Sequence, residues 1–312
     1  MIVYFVHSQM RLFFIVIFLF FCSVTGSAQA WKSLSHEFSF GVGASNFLGD
    51  LGGARGIGTH GIKDLKFQMT RPTLSGGYKL MLNPYFFLKS TVIWSLLSGD
   101  DAITKNEVRN NRNLSFRSNL GEIASYIEYY PNADKIYSRY KINGIRRNKA
   151  FSLTPYFYTG IGVAFFNPKT KLNGDWVALQ PLGTEGQGLA GRPDKYRRYT
   201  LTFPIGAGVK YQIDKQLAVS FELSLRYTLS DYIDDVSTSY YLPSEIAANY
   251  GETAAILSDR SIDPNLNGVI QYSDGRNNYL QRGNPRYNDA YMFGLFSIHY
   301  RFIKGQVFIP KF

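Results

Sequence analysis

The segment SDYIDDVS (230–237) sets three carboxylates, Asp231, Asp234 and Asp235, close together. Carboxylates at such spacing can share a proton, work as an acid–base pair or receive a hard cation. Acid–base or nucleophilic chemistry would pair them with a histidine or a serine. Of the four histidines, His7, His36, His60 and His299, none is near 231–235 in the chain, and no two have metal-ligand spacing. The acids therefore read as a solvated loop start or an acidic turn that tolerates calcium. Cys22 is the sole cysteine, which removes disulfides and cysteine-ligated zinc. Two glycine-rich runs, GDLGGARGIG (49–58) and GDWVALQPLGTEGQG (174–188), invite a test for phosphate binding. Neither ends in Lys-Ser or Lys-Thr, and neither sits between a strand and a helix, so neither is a P-loop or a dinucleotide site. In the second run, Pro181, Gly183 and Gly186 favour a defined loop. Trp176 suits a position at headgroup level, and Gln180 completes the marked positions of the run. No catalytic residue, cofactor site or metal site is expected.

Two basic clusters stand out. Lys135, Arg139, Lys141, Arg146, Arg147 and Lys149 crowd the segment 131–150, and Arg192, Lys195, Arg197 and Arg198 close the segment 167–198. The first reads either as a solvated positive turn beside anionic headgroups or as a docking surface for a partner. The second is suited to the phosphates of lipopolysaccharide, where charge-assisted bonds are strong. The formal net charge of +11 agrees with an anionic surface or an acidic partner.

The elements that must position these residues are strands. In QLAVSFELSLRYTLS (216–230), Leu217, Val219, Phe221, Leu223, Leu225, Tyr227 and Leu229 share one face. Ala218, Ser220, Glu222, Ser224, Arg226, Thr228 and Ser230 share the other. Strict alternation means an extended strand between an apolar and a polar environment. Segments 199–213 and 290–302 alternate in the same way, and weaker candidates lie at 36–46, 71–82, 85–98, 115–130 and 151–166. The fourth of these weaker segments changes phase near Leu120-Gly121-Glu122, which predicts a bulge.

Eight strands, an aromatic content of 16%, and connections that alternate long and short predict an all-β fold. The fold is an eight-stranded antiparallel up-and-down transmembrane β-barrel with long outward loops. Asn83-Pro84 and 214–215 are its tight turns, with 131–150 a stretched one on the same, periplasmic side. So small a barrel is filled by its own side chains. The expected lumen set is Glu37, Lys79, Lys89, Glu122, Lys210, Glu222, Arg226 and Arg301, mutually paired rather than lining a pore.

Residues 1–30 read as a cleaved secretory signal: Arg11, the apolar run LFFIVIFLFFC (12–22), then Ala28-Gln29-Ala30. A lipoprotein signal would need small residues before Cys22, where Phe20 and Phe21 stand. Export and the barrel pattern together predict the bacterial outer membrane, with both termini periplasmic and outer-membrane lipids, including lipopolysaccharide, as surroundings. Nucleic acid is not an expected partner.

The stretches SNFLGDLGG (45–53), NLSF (113–116), TPYFYTGIGVAFFNPK (154–169), GDWVALQPLGTEGQG (174–188) and SDYIDDVSTSY (230–240) give the chain a resemblance to the PorG family. These are outer-membrane proteins of the type IX secretion system of Bacteroidota. The resemblance implies a non-enzymatic role, with the barrel tied to a periplasmic ring of the lipoprotein PorK and of PorN. On that reading the outward run 174–188 either folds the barrel mouth shut or meets a second partner, another outer-membrane secretion component. The resemblance transfers no site residues. The competing expectation is a surface-exposed binding or adhesion barrel that uses the loops around 174–188 and 231–289.

Overall fold

The computed structural model describes residues 36–51, 67–104, 106–132, 153–214, 216–271 and 277–302. Eight long strands form a closed barrel: β1 (His36–Leu48), β2 (Arg71–Met81), β3 (Phe86–Asp100), β4 (Ser115–Tyr129), β5 (Leu153–Leu172), β7 (Tyr199–Gln212), β8 (Leu217–Thr228) and β11 (Ala290–Phe302). The short β6 (Asp175–Ala178) adds to β5 beyond the barrel wall, and β9 (Val269–Gln271) pairs with β10 (Asn277–Tyr279). Each barrel strand pairs antiparallel with its sequence neighbours, and β1–β11 and β4–β5 complete the closure. Following partners once round, His36–Leu80–Leu88–Ile127–Thr159–Ile205–Leu225–Met292, leads back to β1 at Asn46. That stagger tilts the strands and fixes an interior that side chains can fill.

Alternation builds the wall. On β8, Phe221, Leu223 and Tyr227 are exposed, while Ala218, Ser220, Glu222, Ser224, Arg226 and Thr228 are buried. The outward face of the other strands is equally apolar, with Phe40, Val92, Ile123, Ile161 and Ile298 each more than half exposed. Water does not tolerate such a continuous apolar girdle, whereas lipid does. Aromatics mark its rims. Phe38, Tyr78, Tyr300 and Phe302 cluster at the end of the tight turns, and Phe165 and Tyr199 pair near the end of the long loops. No helix among the described residues is long and apolar enough to cross a membrane.

Inside, Gly206 and Gly208 lie opposite Tyr158 and Tyr156. A Cβ at either glycine would overlap the tyrosine ring. The two tyrosines can therefore lie across the lumen only because their neighbours on β7 have no side chain.

The bulge predicted near 120–122 is absent. β4 keeps one register with β3 and with β5 through Leu120, Gly121 and Glu122, and Leu120 and Glu122 both face inward. The chemistry of the interior changes there, not the phase of the strand. The half nearer the tight turns is charged, and the half nearer the long loops is an apolar core of residues such as Phe47, Leu97, Phe116, Leu120, Phe293 and Leu295.

The outward connections are more structured than sequence periodicity suggests. β5 runs six residues past the predicted end of its strand, to Leu172. The segments read as loops contain β6 and three short helices, α1 (Glu107–Arg112), α2 (Pro243–Tyr250) and α3 (Glu252–Ser258). Residues 1–30, read above as a signal segment, and the connection 133–150 lie outside the described residues.

Candidate functional site

Two assemblies fill the barrel, a charged lattice in the lumen and a cap over the outward mouth. In the lumen, Glu37, Lys79, Lys89, Glu122, Lys210, Glu222 and Arg226 are buried, and Arg301 is largely so. Glu37 receives Lys79 (3.4 Å), Arg301 (3.4 Å), His299 (2.9 Å) and Lys210. Lys79 also reaches Glu128 (2.9 Å), Glu128 reaches Lys89 (3.5 Å), and Lys89 reaches Glu222 (3.1 Å). The signs alternate along this chain, so each charge has an opposite neighbour that offsets its desolvation. Deeper in the barrel Arg226 meets Glu122 (3.3 Å), which also accepts the hydroxyl of Tyr291 (2.5 Å). His299 bridges Glu37 and the Ser220 hydroxyl (2.7 Å), holding a structural place in the lattice. Glu128 was missed at the sequence level, although it stands six positions after Glu122 on the same alternating face.

The cap is built from two segments singled out in the sequence. TEGQ (184–187), inside the glycine-rich run, is buried, and it clamps DDVST (234–238). The Glu185 carboxylate accepts the backbone N–H of Ser237 (2.9 Å) and of Thr238 (3.0 Å), the Thr238 hydroxyl (2.6 Å) and Arg282 Nη1 (3.1 Å). Thr184 donates to Asp235 (2.5 Å), as does the Tyr196 hydroxyl (2.6 Å). Gly183 and Gly186 have φ of +54° and +77°, and a Cβ on Gly186 would meet the Tyr241 ring at 2.8 Å. Gln180 donates to the Tyr196 carbonyl (3.0 Å), and the Pro181 carbonyl accepts Lys195 (2.6 Å). Trp176 stays outside on β6, half exposed, between Arg117 and Lys171.

Arg282 and Arg112 join the cap to the connections that follow β1 and β3. Arg282 also donates to the Asp235 carbonyl (2.7 Å). Arg112 binds Asp101 (2.7 Å), the Asp50 carbonyl (2.9 Å) and the Arg282 carbonyl. Ile233 and Val236 belong to the same apolar core as Phe293, Leu97 and Leu120, at the long-loop end of the barrel. None of Asp50, Asp101, Arg112, Glu185, Arg282 or Asp289 was marked in advance. They lie in loops without periodicity, and composition alone gives no hint of their partners.

The acids of SDYIDDVS are not a solvated set: Asp231, Asp234 and Asp235 are buried. Asp234 accepts the N–H of Leu51 (3.0 Å) and of Val236 (3.0 Å), and Asp289 accepts that of Ile233 (2.8 Å). Burial raises Asp231 to about 8, with the Asp50 and Glu185 charges adding and a Ser237 hydrogen bond opposing. Burial and the neighbouring carboxylates hold Asp234 and Asp289 well above the ordinary range. Burial raises Asp235 to about 6 against the pull of Arg282. Among the described residues no group of three or more His, Cys, Asp or Glu is arranged to hold a metal ion. The candidate docking residues Lys135, Arg139, Lys141, Arg146, Arg147 and Lys149 lie outside the described residues.

A comparison with curated protein sequences finds no match. Among solved structures, the fold is similar to that of Ail from Yersinia pestis in complex with the heparin analogue sucrose octasulfate. The identity is 7%, over 86% of this chain and 99% of that one, with a TM-score of 0.35. Neisserial surface protein A is similar at 8% identity, over 86% and 96%, with a TM-score of 0.33. A major outer membrane protein of Thermus thermophilus is similar at 12% identity, over 86% and 99%, with a TM-score of 0.35. Residues 10–244 match the family described as a domain of unknown function, DUF6089, a span that takes in seven of the eight barrel strands and both clamped segments. The chain therefore belongs to the DUF6089 family.

Proposed function

We propose that the protein is a non-enzymatic barrel of the bacterial outer membrane, with its capped mouth outward and its termini periplasmic, and that it anchors the type IX secretion machinery. The observation that carries the non-transport part is the interior: a lattice of paired charges below and an apolar, hydrogen-bonded cap above occupy the space a solute would need. A barrel filled in this way offers a rigid wall in the membrane and its two rims for contacts. The resemblance of its loop stretches to the PorG family supports the secretion role, with PorK and PorN as the ring partners. The basic turn carrying Lys135, Arg139, Lys141, Arg146, Arg147 and Lys149 is the proposed contact on the periplasmic side.

Affinity purification of the tagged full chain from native membranes tests this reading. Recovery of the ring lipoprotein is expected, and it should fall when the six basic residues are changed to glutamine while the barrel itself stays in the membrane. Recovery of the barrel with no ring component overturns the anchor role. The second reading, a surface-binding barrel, is favoured by the exposed apolar residues Ile256, Ile262 and Leu266 on the cap. In that case deletion within 241–285 abolishes surface binding and leaves secretion intact.

A further inference from the structure

We propose that the outward flank formed by β4, β5, β6 and the start of β7 binds the diphosphorylated sugar headgroup of an outer-leaflet glycolipid of the lipid A type. The proposal rests on the membrane location argued above and not on attachment to a ring.

Going outward, the lipid-facing column of β5 reads Ile161, Val163, Phe165, Asn167, Lys169, Lys171, and that of β4 reads Ile127, Ser125, Ile123, Gly121, Asn119, Arg117. The register places Asn119 opposite Asn167 and Arg117 opposite Lys169. Apolar, amide and cationic positions therefore succeed one another at matching places on both strands, in the order in which a glycolipid presents acyl chains, amide linkages and phosphates. β5 can display its last two cations because it continues past Phe165, and β6 covers the edge of that extension.

On β6, Trp176 faces outward opposite Lys171. The Lys171 ammonium and the Arg117 guanidinium lie 5.5 Å and 5.6 Å from its ring. An exposed indole between cations offers a flat apolar face to a sugar and charges to its phosphates.

Beside it, a groove of about 610 Å³ has Phe165 and Tyr199 at its lipid edge and Lys195, Arg197 and Arg198 along its loop side. Gln180 of the glycine-rich run lines the groove and is held there by its bond to the Tyr196 carbonyl. Arg117 and Lys171 flank the indole, and the cations of the groove form a second group, so a headgroup with two phosphates would find a cationic group for each. None of Arg117, Lys169, Lys171, Arg197 and Arg198 forms an ion pair among the described residues, and neither do the nearby acids Asp175 and Asp194. Like charges gathered at the membrane surface repel one another until an anion joins them.

The test uses the full-length barrel refolded into phosphatidylcholine nanodiscs. These are doped in turn with diphosphoryl lipid A, monophosphoryl lipid A or phosphatidylglycerol, and lipid retained on the protein is counted by native mass spectrometry. Diphosphoryl lipid A should be retained about tenfold better than phosphatidylglycerol, with monophosphoryl lipid A between them. The variant R117Q/K169Q/K171Q should lose about tenfold in retention. If it does not fold, R197Q/R198Q, confined to the exposed loop, carries the same comparison. Equal retention by wild type and variant overturns the site. Equal retention of phosphatidylglycerol also overturns it, in favour of unspecific attraction to anionic lipid. Cell fractionation separates the two readings: a protein found in the outer membrane that retains no lipid A refutes the site and leaves the location standing.

Discussion

Replacing Glu185 by alanine removes the acceptor of two backbone N–H groups, one hydroxyl and the Arg282 guanidinium, all in a buried place. Breaking a buried pair in this way costs about 3–5 kcal/mol. Limited proteolysis should therefore cut the cap loops of the Ala variant much faster than those of wild type, while the barrel resists. Gly186→Ala should act in the same direction by about 1 kcal/mol or more, because φ is +77° and the new Cβ would meet the Tyr241 ring. The buried acids predict a pH effect. Asp231 is raised from its ordinary value to about 8, so the cap retains a proton that the unfolded chain has released. The stability this gives is complete below about pH 4 and is lost as pH rises towards 8. The protection of residues 231–240, relative to the intrinsic exchange rate at each pH, should fall between about pH 4 and 8, and Asp231→Asn should flatten that dependence. An unchanged profile in the Asn variant would remove Asp231 from the account. These roles were not legible beforehand. Glu185 and Asp231 look like any loop acids until their partners, 52 to 97 positions away in the chain for the bonds of Glu185, are brought to them.

At the scale of the element, a barrel strand carries its assignment in its own residues because its two faces meet different media. β8 shows this from Leu217 to Thr228, with lipid on one side and the charged lattice on the other. Leu223→Arg, on the lipid face near the middle of the strand, should cost about 2–4 kcal/mol in lipid-coupled folding titrations. A cost near zero would show that this face does not meet the bilayer core. The same logic explains where the reading lost its hold. In β4 the interior turns apolar at Leu120 while the outward face turns polar at Asn119 and Arg117, so the pattern inverts and the sequence mimics a shift of phase where the backbone has none. The helices α1 to α3 are each eight residues or fewer, shorter than the span over which a helical period can be recognised.

At the scale of the whole molecule, the lattice and the cap together make the barrel a solid body. Reconstituted into planar bilayers, it should show no steady ion conductance, and persistent channel openings would contradict the closed mouth. The alternating faces, the eight strands and the inward charges could all be read from the sequence, since period-two patterning is local and the medium on each face is imposed along every strand. The tertiary structure alone decided that the glycine-rich run and the acidic turn clamp each other, that Arg282 and Arg112 tie them to the connections after β1 and β3, and that the interior divides into a charged and an apolar half. Those facts depend on contacts between distant segments, where hydrogen-bond geometry and burial, rather than the order of residues, determine which group finds which partner.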